Sequence, residues 1–310
     1  MGDKARAAVR ILIMALCFWL PASLRKRLER WLRGREEFHK LKRADWVLMS
    51  WGKSGRTWLR VMLSRAYQLK GGLPSSELLD FDNFRRSNAE LPAVFFTHNN
   101  YLRDYTGNQH SKAHFQGKRI VLLVRDPRDV AVSQFFQWKY RMRPNKKFIN
   151  DYPPHGAHIE PWDFVQDEDA GVPRIVDYFN GWASSIHELK EVLVIRYEDM
   201  RSDPAAVLEQ IFTFTGTDIS ADQIAEAVAF AAYDNMKKME QDQHFKGSGA
   251  RVRPGDQTNP QSFKVRKAKV GGYRDYFTDD QCARLSLMVA DLDPLFGYGV
   301  DAPPAVETNV

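Results

Sequence analysis

A chain of 310 residues, 44% of them hydrophobic, can bury one sizeable α/β core, with or without extensions, so one domain is the expected count. Its two cysteines, Cys17 and Cys282, lie far apart, which argues against a disulfide-stabilised fold, and no Cys/His cluster shows zinc-ligand spacing. The formal net charge of +6 is concentrated in residues 1–43, which carry twelve Lys or Arg against four Asp or Glu, while the remainder is slightly acidic.

Within that basic segment, residues 11–20 form an apolar run that stops at Pro21. Leu24, Leu28, Trp31 and Leu32 follow about a helical turn apart, among Arg25, Lys26, Arg27, Arg30 and Arg33. The run is too short to span a bilayer as a helix of roughly 20 residues. The pattern suits an amphipathic helix lying on an anionic membrane surface. Lys4, Arg6 and Arg10 before the run and Pro21-Ala22-Ser23 after it are also compatible with a signal peptide, although the dense positive charge that follows resists export. A short or partial span and a plain packed helix remain open.

The first strand signal, Val47-Leu48-Met49, leads into Trp51-Gly52-Lys53-Ser54-Gly55-Arg56-Thr57-Trp58 and then into a helix-like segment. A strand, a tight turn with Lys and hydroxyls, and a helix N-terminus together present N–H groups to a phosphate. The nucleoside-triphosphate loop pattern fails, because position 47 is Val where that loop needs Gly. Val94-Phe95-Phe96 reads as a second buried strand with Thr97-His98 at its end. A neutral imidazole there suits a general base at physiological pH.

Residues 120–124 read as a third buried strand, ending on Arg125 rather than on an Asp that would hold magnesium. Asp126 caps the next helix, Pro127 suits its first position, and Ser133 falls on its second turn. Arg125 therefore stands at the carboxyl edge of the sheet, where ligands bind and where a guanidinium can grip a phosphate bidentately. Arg128, at the solvated helix start, is the expected partner of Asp129. Residues 139–174 and 241–263, the latter with Gly247, Gly249, Pro254, Gly255 and Pro260, read as long loops that build a second substrate's site. A fourth strand over 192–196 completes an alternation of strands and helices that predicts a parallel sheet with crossover helices.

Taken as a unit, Lys53-Ser54-Gly55-Arg56-Thr57-Trp58 resembles the 5′-phosphosulfate loop of sulfotransferases that use 3′-phosphoadenosine 5′-phosphosulfate (PAPS), with Arg56 where the family usually has Thr. Arg125 and Ser133 match its 3′-phosphate motif. Arg266-Lys267-Ala268, with Gly271 and Tyr273, resembles its Arg-Lys-Gly-x-x-Gly-x-Trp loop, Ala268 standing for Gly and Tyr273 for Trp. Tyr197 lies in a segment similar to Tyr-Glu-Asp-Met, Tyr233-x-x-Met236 resembles the adenine-contacting Phe-x-x-Met, and Thr97-His98 matches Lys-Thr-His with Phe96 replacing the Lys. These matches span residues 46–278 and disfavour reading the basic run 264–274 as a nucleic-acid patch.

The resemblance implies an α/β, P-loop-like sulfotransferase domain over 44–310, with one central parallel sheet flanked by helices, behind a membrane-interfacial, amphipathic helical extension at 1–43. It implies sulfuryl transfer from PAPS to a hydroxyl or amine of an acceptor, with PAP (adenosine 3′,5′-bisphosphate) as product and no metal. Given the basic N-terminus, the acceptor is expected to be a lipid or glycan at a membrane that the enzyme approaches from the cytoplasm. His98 is the base, Lys53 stabilises the leaving phosphate and Ser133 restrains Lys53; Tyr197, Tyr233, Met236, Arg266, Lys267 and Ala268 join the donor site. Two rival readings are a P-loop-like nucleotide kinase or NTPase and a membrane-associated nucleotide-binding protein without catalysis. Asp279 and Ala283 depart from the dimerisation pattern of cytosolic members, so the oligomeric state is open.

Overall fold

Four short apolar strands organise the computed structural model, which describes residues 2–245 and 251–299. They are β1 (Trp46–Ser50), β2 (Val94–Thr97), β3 (Arg119–Val124) and β4 (Val192–Arg196), and they lie in the order β2-β1-β3-β4 with every pair parallel. Strand alternation sends Val47, Met49, Phe95, Ile120, Leu122 and Val124 into one core and Trp46, Leu48, Val94, Val121, Leu123 and Ile195 into the other. Both faces are buried, which explains why the strands read as continuous hydrophobic runs rather than alternating ones.

Helices α1 (Asp3–Leu16) and α2 (Ala22–Arg43) precede the sheet, and α3 (Arg56–Gly71) crosses from β1 toward β2. After β3 come α4 (Pro127–Tyr140) and α5 (Val172–Ile186); after β4 come α6 (Tyr197–Ser202), α7 (Pro204–Thr215), α8 (Ala221–Phe230) and α9 (Tyr233–Gln241). Side chains of α3, α7, α8 and α9 cover one sheet face, and those of α4 and α5 cover the other. The chain leaves β1 for β2 on one side while β3 and β4 lie on the other. The strand order therefore reverses between β1 and β3, and their carboxyl ends open into a crevice.

Helix α2 belongs to the domain wall. Leu32 and Leu41 are buried, and a Cβ at Gly34 would fall 2.1 Å from the Tyr101 carbonyl oxygen and 2.6 Å from Tyr105 Cβ, so only glycine permits this approach. Arg30 donates to Asp104 at 2.6 Å and to the carbonyls of Ile149 at 2.6 Å and Asn100 at 3.2 Å. Two of the basic residues expected to face outward, Arg30 and Arg33, thus point at protein, Arg33 pairing with Glu29. Helix α1 folds back along α2 through Arg10–Glu36 (2.8 Å) and Asp3–Arg43 (2.7 Å) and buries none of its own residues. Ile11, Leu16, Phe18 and Trp19 are 62%, 65%, 73% and 70% exposed. Among the described residues no helix is long and apolar enough to cross a membrane.

The segment 139–174 departs from a loop. It contains helices Pro144–Ile149 and Pro161–Gln166, anchored by buried Ile149, Phe164 and Val165. Gly247 and Gly249 lie outside the described residues, while Val252 is buried in the core.

Candidate active site

Lys53 and Gly55 take left-handed backbone conformations, with φ of 72° and 95°, which turn the chain sharply from β1 into α3. A Cβ on Gly55 would meet the Tyr197 ring at 2.5 Å, so the turn needs glycine twice over. No side chain caps α3. The Trp58 N–H donates to the Gly55 carbonyl at 3.0 Å, and the N–H groups of Arg56 and Thr57 remain available to an anion. Gly55, Arg56, Thr57 and Trp58 line a cavity of about 1460 Å³. Ser54 does not line it, being fully buried with a hydroxyl that has no partner, so the expected Ser54 contact is at most a backbone one. Trp58 lines the cavity while its Nε1 donates to the Ala231 carbonyl at 2.9 Å.

From the end of β3, Arg125 reaches the same cavity. Its guanidinium lies 4.1 Å from the Tyr197 ring centroid and donates to the carbonyls of Lys53 at 3.3 Å and Lys269 at 3.2 Å. Its Nε is buried without a partner. Asp129 pairs with Arg125 at 3.3 Å and accepts the N–H groups of Gly271 and Tyr273, each at 2.9 Å. Arg128 is instead held by Asp126 at 2.8 Å, which corrects the pairing expected from sequence. The difference has a geometric cause: Arg128 is two residues beyond its own cap, and Asp129 is turned toward the loop that covers Arg125. Ser133 lines the cavity, but no hydrogen bond joins it to Lys53 among the described residues.

The loop after residue 262 is pinned from below by Glu240, which is 0% exposed. Its carboxylate accepts from Arg141 at 3.1 Å and from the N–H groups of Lys264 at 2.7 Å and Val265 at 2.9 Å. Arg266 lies 3.7 Å from the Phe136 ring centroid and bonds Tyr276, while Tyr233 donates to the Arg266 carbonyl and Met236 is buried beside it. Lys267 is about half exposed and pairs with Asp275 at 2.9 Å. Ala268 occupies the left-handed region at φ 50°, a conformation that favours the Gly of the family pattern. Burial lowers the pKa of Lys53 to about 7, helped by repulsion from Arg141, Arg266 and Arg125 and opposed by Glu240. Lys53, which has no ion pair among the described residues, thus sits in a positive field that favours an anion beside it.

At the end of β2, His98 Nδ1 lies 2.6 Å from the Ser50 carbonyl and Nε2 lies 2.7 Å from Nη2 of Arg56. Arg56 can only donate, so Nε2 accepts and Nδ1 carries the proton. Burial, reinforced by the Arg56 charge, holds the His98 pKa well below its usual value. The imidazole is neutral, in the tautomer a base needs. Phe96, which replaces the family's Lys, is covered by Arg60 at 3.6 Å from its ring centroid; the cation beside His98 comes from Arg56. Thr97 donates to Glu37 of α2 at 3.1 Å, and burial raises that carboxyl to about 7.

One cavity thus joins Lys53, Gly55, Arg56, Thr57, Trp58, His98, Arg125, Ser133, Tyr197, Tyr233, Met236, Arg266, Lys267 and Ala268. Sequence reasoning missed Glu37, Arg141 and Glu240, and it misread the role of Asp129. Glu240 had a signal: Tyr233, Met236 and Glu240 share one helix face by their spacing. Among the described residues no group of three or more His, Cys, Asp or Glu side chains is placed to hold a metal ion.

A family model described as "Sulfotransferase domain" matches residues 43–291. Sulfotransferase 2A6 of Mus musculus is 24% identical over 255 residues, covering 77% of this chain and 80% of that protein. Cytosolic sulfotransferase 17 of Arabidopsis thaliana is 25% identical over 275 residues, covering 81% and 74%. Among solved structures, mouse sulfotransferase SULT7A1 complexed with PAP superposes with a TM-score of 0.52 at 21% identity, over 83% of this chain and 89% of that one. Retinol dehydratase in complex with retinol and PAP gives 0.51 at 16% identity, over 80% and 81%.

Proposed function

This chain belongs to the sulfotransferase domain family, and from that premise we propose that it moves a sulfuryl group from PAPS to a hydroxyl or amine on an acceptor, with His98 as base. The observation that carries the reading is the convergence of Lys53, Arg125, Arg141 and Arg266 at the β1–β3 crevice, in the same cavity as His98. Two separated phosphates fit this chain better than a triphosphate. The glycine-turned loop with Lys53 offers one anion site, Arg125 with its orphaned Nε offers another, and Trp58 and Met236 line the cavity for a flat base.

In the reaction, His98 takes the acceptor's proton at Nε2 as the acceptor oxygen or nitrogen bonds to sulfur and the bond from sulfur to the 5′-phosphate oxygen breaks. Lys53 and the N–H groups of the α3 first turn meet the charge that builds on the leaving oxygen, which is the preorganised stabilisation such transfer requires. Bound phosphate restores Lys53 to its charged form. Ser133, on α4 within the cavity, is suited to hold either phosphate or Lys53.

The acceptor is met at a membrane. Supporting this, α1 and the following turn present Ile11, Leu16, Phe18 and Trp19 to solvent next to exposed Arg25 and Arg27, a combination suited to an anionic interface. The test of the donor is calorimetric binding of PAP beside ATP, with and without magnesium. Micromolar, metal-independent binding of PAP is the expected result; preference for magnesium-ATP would overturn the reading.

A further inference from the structure

Beyond the donor site, the cavity runs on between α2, the short helix Leu102–Thr106 and α5, and its walls there set charged side chains among aromatic ones such as Tyr152 and Trp182. Arg103 and Arg174 both line it, and among the described residues neither guanidinium has a carboxylate within ion-pair distance. Arg103 Nε is buried with no hydrogen-bond partner. Asp104, whose charge partly offsets Arg103, is bonded at 2.6 Å by Arg30 instead. Burial, with repulsion from Arg174, lowers the Arg103 pKa. Tyr178, its hydroxyl buried near the Trp182 indole, lies within electrostatic reach of both Arg56 and Arg103. Lys146 adds a further cation, within electrostatic reach of Glu37 and bonded, among the described residues, to the neutral Tyr101 hydroxyl at 3.1 Å. Two of the lining carboxylates, Asp169 and Asp177, are exposed. The Arg103 and Arg174 side chains are both half-buried, and the orphaned Nε of Arg103 is costly unless an acceptor completes it, most strongly an anionic one.

The second observation is at the base. Nε2 of His98 must be free to take a proton, yet Arg56 occupies it at 2.7 Å. A neutral alcohol offers Arg56 only an uncharged hydrogen-bond acceptor in exchange. A carboxylate or phosphate offers a charge-assisted, bidentate one.

Resting on the sulfotransferase reading, we propose that the acceptor carries an anionic group, a carboxylate or a phosphate, which Arg103 and Arg174 receive and toward which Arg56 turns as it releases His98. The site then selects hydroxyl acceptors that already bear negative charge, such as sugar acids, sugar phosphates or anionic lipid headgroups. Guanidinium forks recognise both oxyanions bidentately, so the two are one chemistry with different sources.

The test uses the full chain loaded with PAP and two soluble probes sharing one ring system and one hydroxyl, 2-naphthol and 6-hydroxy-2-naphthoate. The naphthoate is expected to bind at least tenfold more tightly, and Arg103→Gln or Arg174→Gln to abolish that advantage while leaving naphthol and PAP binding unchanged. Equal binding of the two probes, binding of neither, or variants that hold PAP but weaken both probes alike would each overturn the proposal. Should both variants lose PAP, the wild-type comparison alone decides. Failure of the wild-type chain to bind PAP is a separate result that defeats the donor reading. With labelled PAPS, transfer to phosphatidylglycerol vesicles but not to glucuronate would assign a lipid source, and the reverse a soluble one. Label on 2-naphthol alone would sink the idea.

Discussion

Arg56 donates to Nε2 of His98, the nitrogen that would accept a proton in the proposed transfer. The pair leaves the imidazole neutral, correctly tautomerised and blocked. A histidine with a depressed pKa is a weak base in bulk terms, but it is never lost to protonation near neutrality, so its basicity is gated by Arg56 rather than by pH.

Replacing His98 with Ala should lower kcat by about 10² to 10⁴-fold while PAP affinity stays unchanged, as read by steady-state turnover and calorimetry. In the wild-type enzyme the acid limb of kcat/KM should lie below pH 6.5, because burial and Arg56 push the imidazole down. Full activity in the Ala variant would remove His98 from the mechanism.

Lys53 should take up a proton when PAP binds above neutrality. Its pKa is lowered to about 7 in the free protein, so at pH 8 it is mostly neutral, and a bound dianion raises it. Calorimetry at pH 8 in buffers of differing ionisation enthalpy should report this uptake, and Lys53→Met should abolish it. At pH 6, where the amine is already charged, uptake by this group should be small.

Gly55→Ala places a methyl 2.5 Å from the Tyr197 ring at a φ of 95°. Backbone strain of this kind costs roughly 1–3 kcal/mol, and the displaced ring also supports Arg125. Thermal unfolding should shift down and PAP affinity should fall at least tenfold. Unaltered PAP affinity would show that the turn does not shape the donor site.

Glu240→Ala leaves Arg141 without its carboxylate and two loop N–H groups without an acceptor. Breaking a buried ion pair from one side costs roughly 3–5 kcal/mol. Hydrogen exchange should rise across residues 264–268 and PAP binding should weaken, even though Glu240 itself touches no ligand in the proposed scheme.

Phe18→Ser combined with Trp19→Ser should reduce cosedimentation with anionic vesicles severalfold without changing turnover on a soluble acceptor. Removing all of residues 1–33 is a poor test, because Arg30 and Leu32 of α2 are built into the domain. Equal vesicle binding by the double variant would discard the interfacial role of α1.

Much of the site was legible because it sits at strand ends. β1, β2, β3 and β4 follow the apolar runs to within a residue, and Lys53, His98 and Arg125 lie just beyond three of them. Adjacent residues along a strand end cannot drift apart, so local pattern sufficed. What was not legible depends on contacts between distant segments. Asp129 could be seen as a helix-start carboxylate, but nothing local shows that it reaches Gly271 and Tyr273. The same holds for Glu37, brought to Thr97 by the packing of α2, and for Arg141, joined to Glu240 across the fold. Long basic stretches in 139–174 suggested loops because their helices are short and their buried residues few.

The pairing of β1 with β3, Trp46 opposite Arg119 through Ser50 opposite Leu123, has a consequence for quality control. The two strands meet only after the whole β2 excursion has been accommodated, and a slip of one residue would shift one against the other by about 3.3 Å. Arg125 holds the Lys53 carbonyl at 3.3 Å, so that error alone would carry the guanidinium out of reach. A nucleotide with phosphates at both ends therefore acts as a gauge of strand alignment. Correctly aligned chains are stabilised by the ligand in proportion to the logarithm of its concentration over Kd, and misaligned ones are left to unfold.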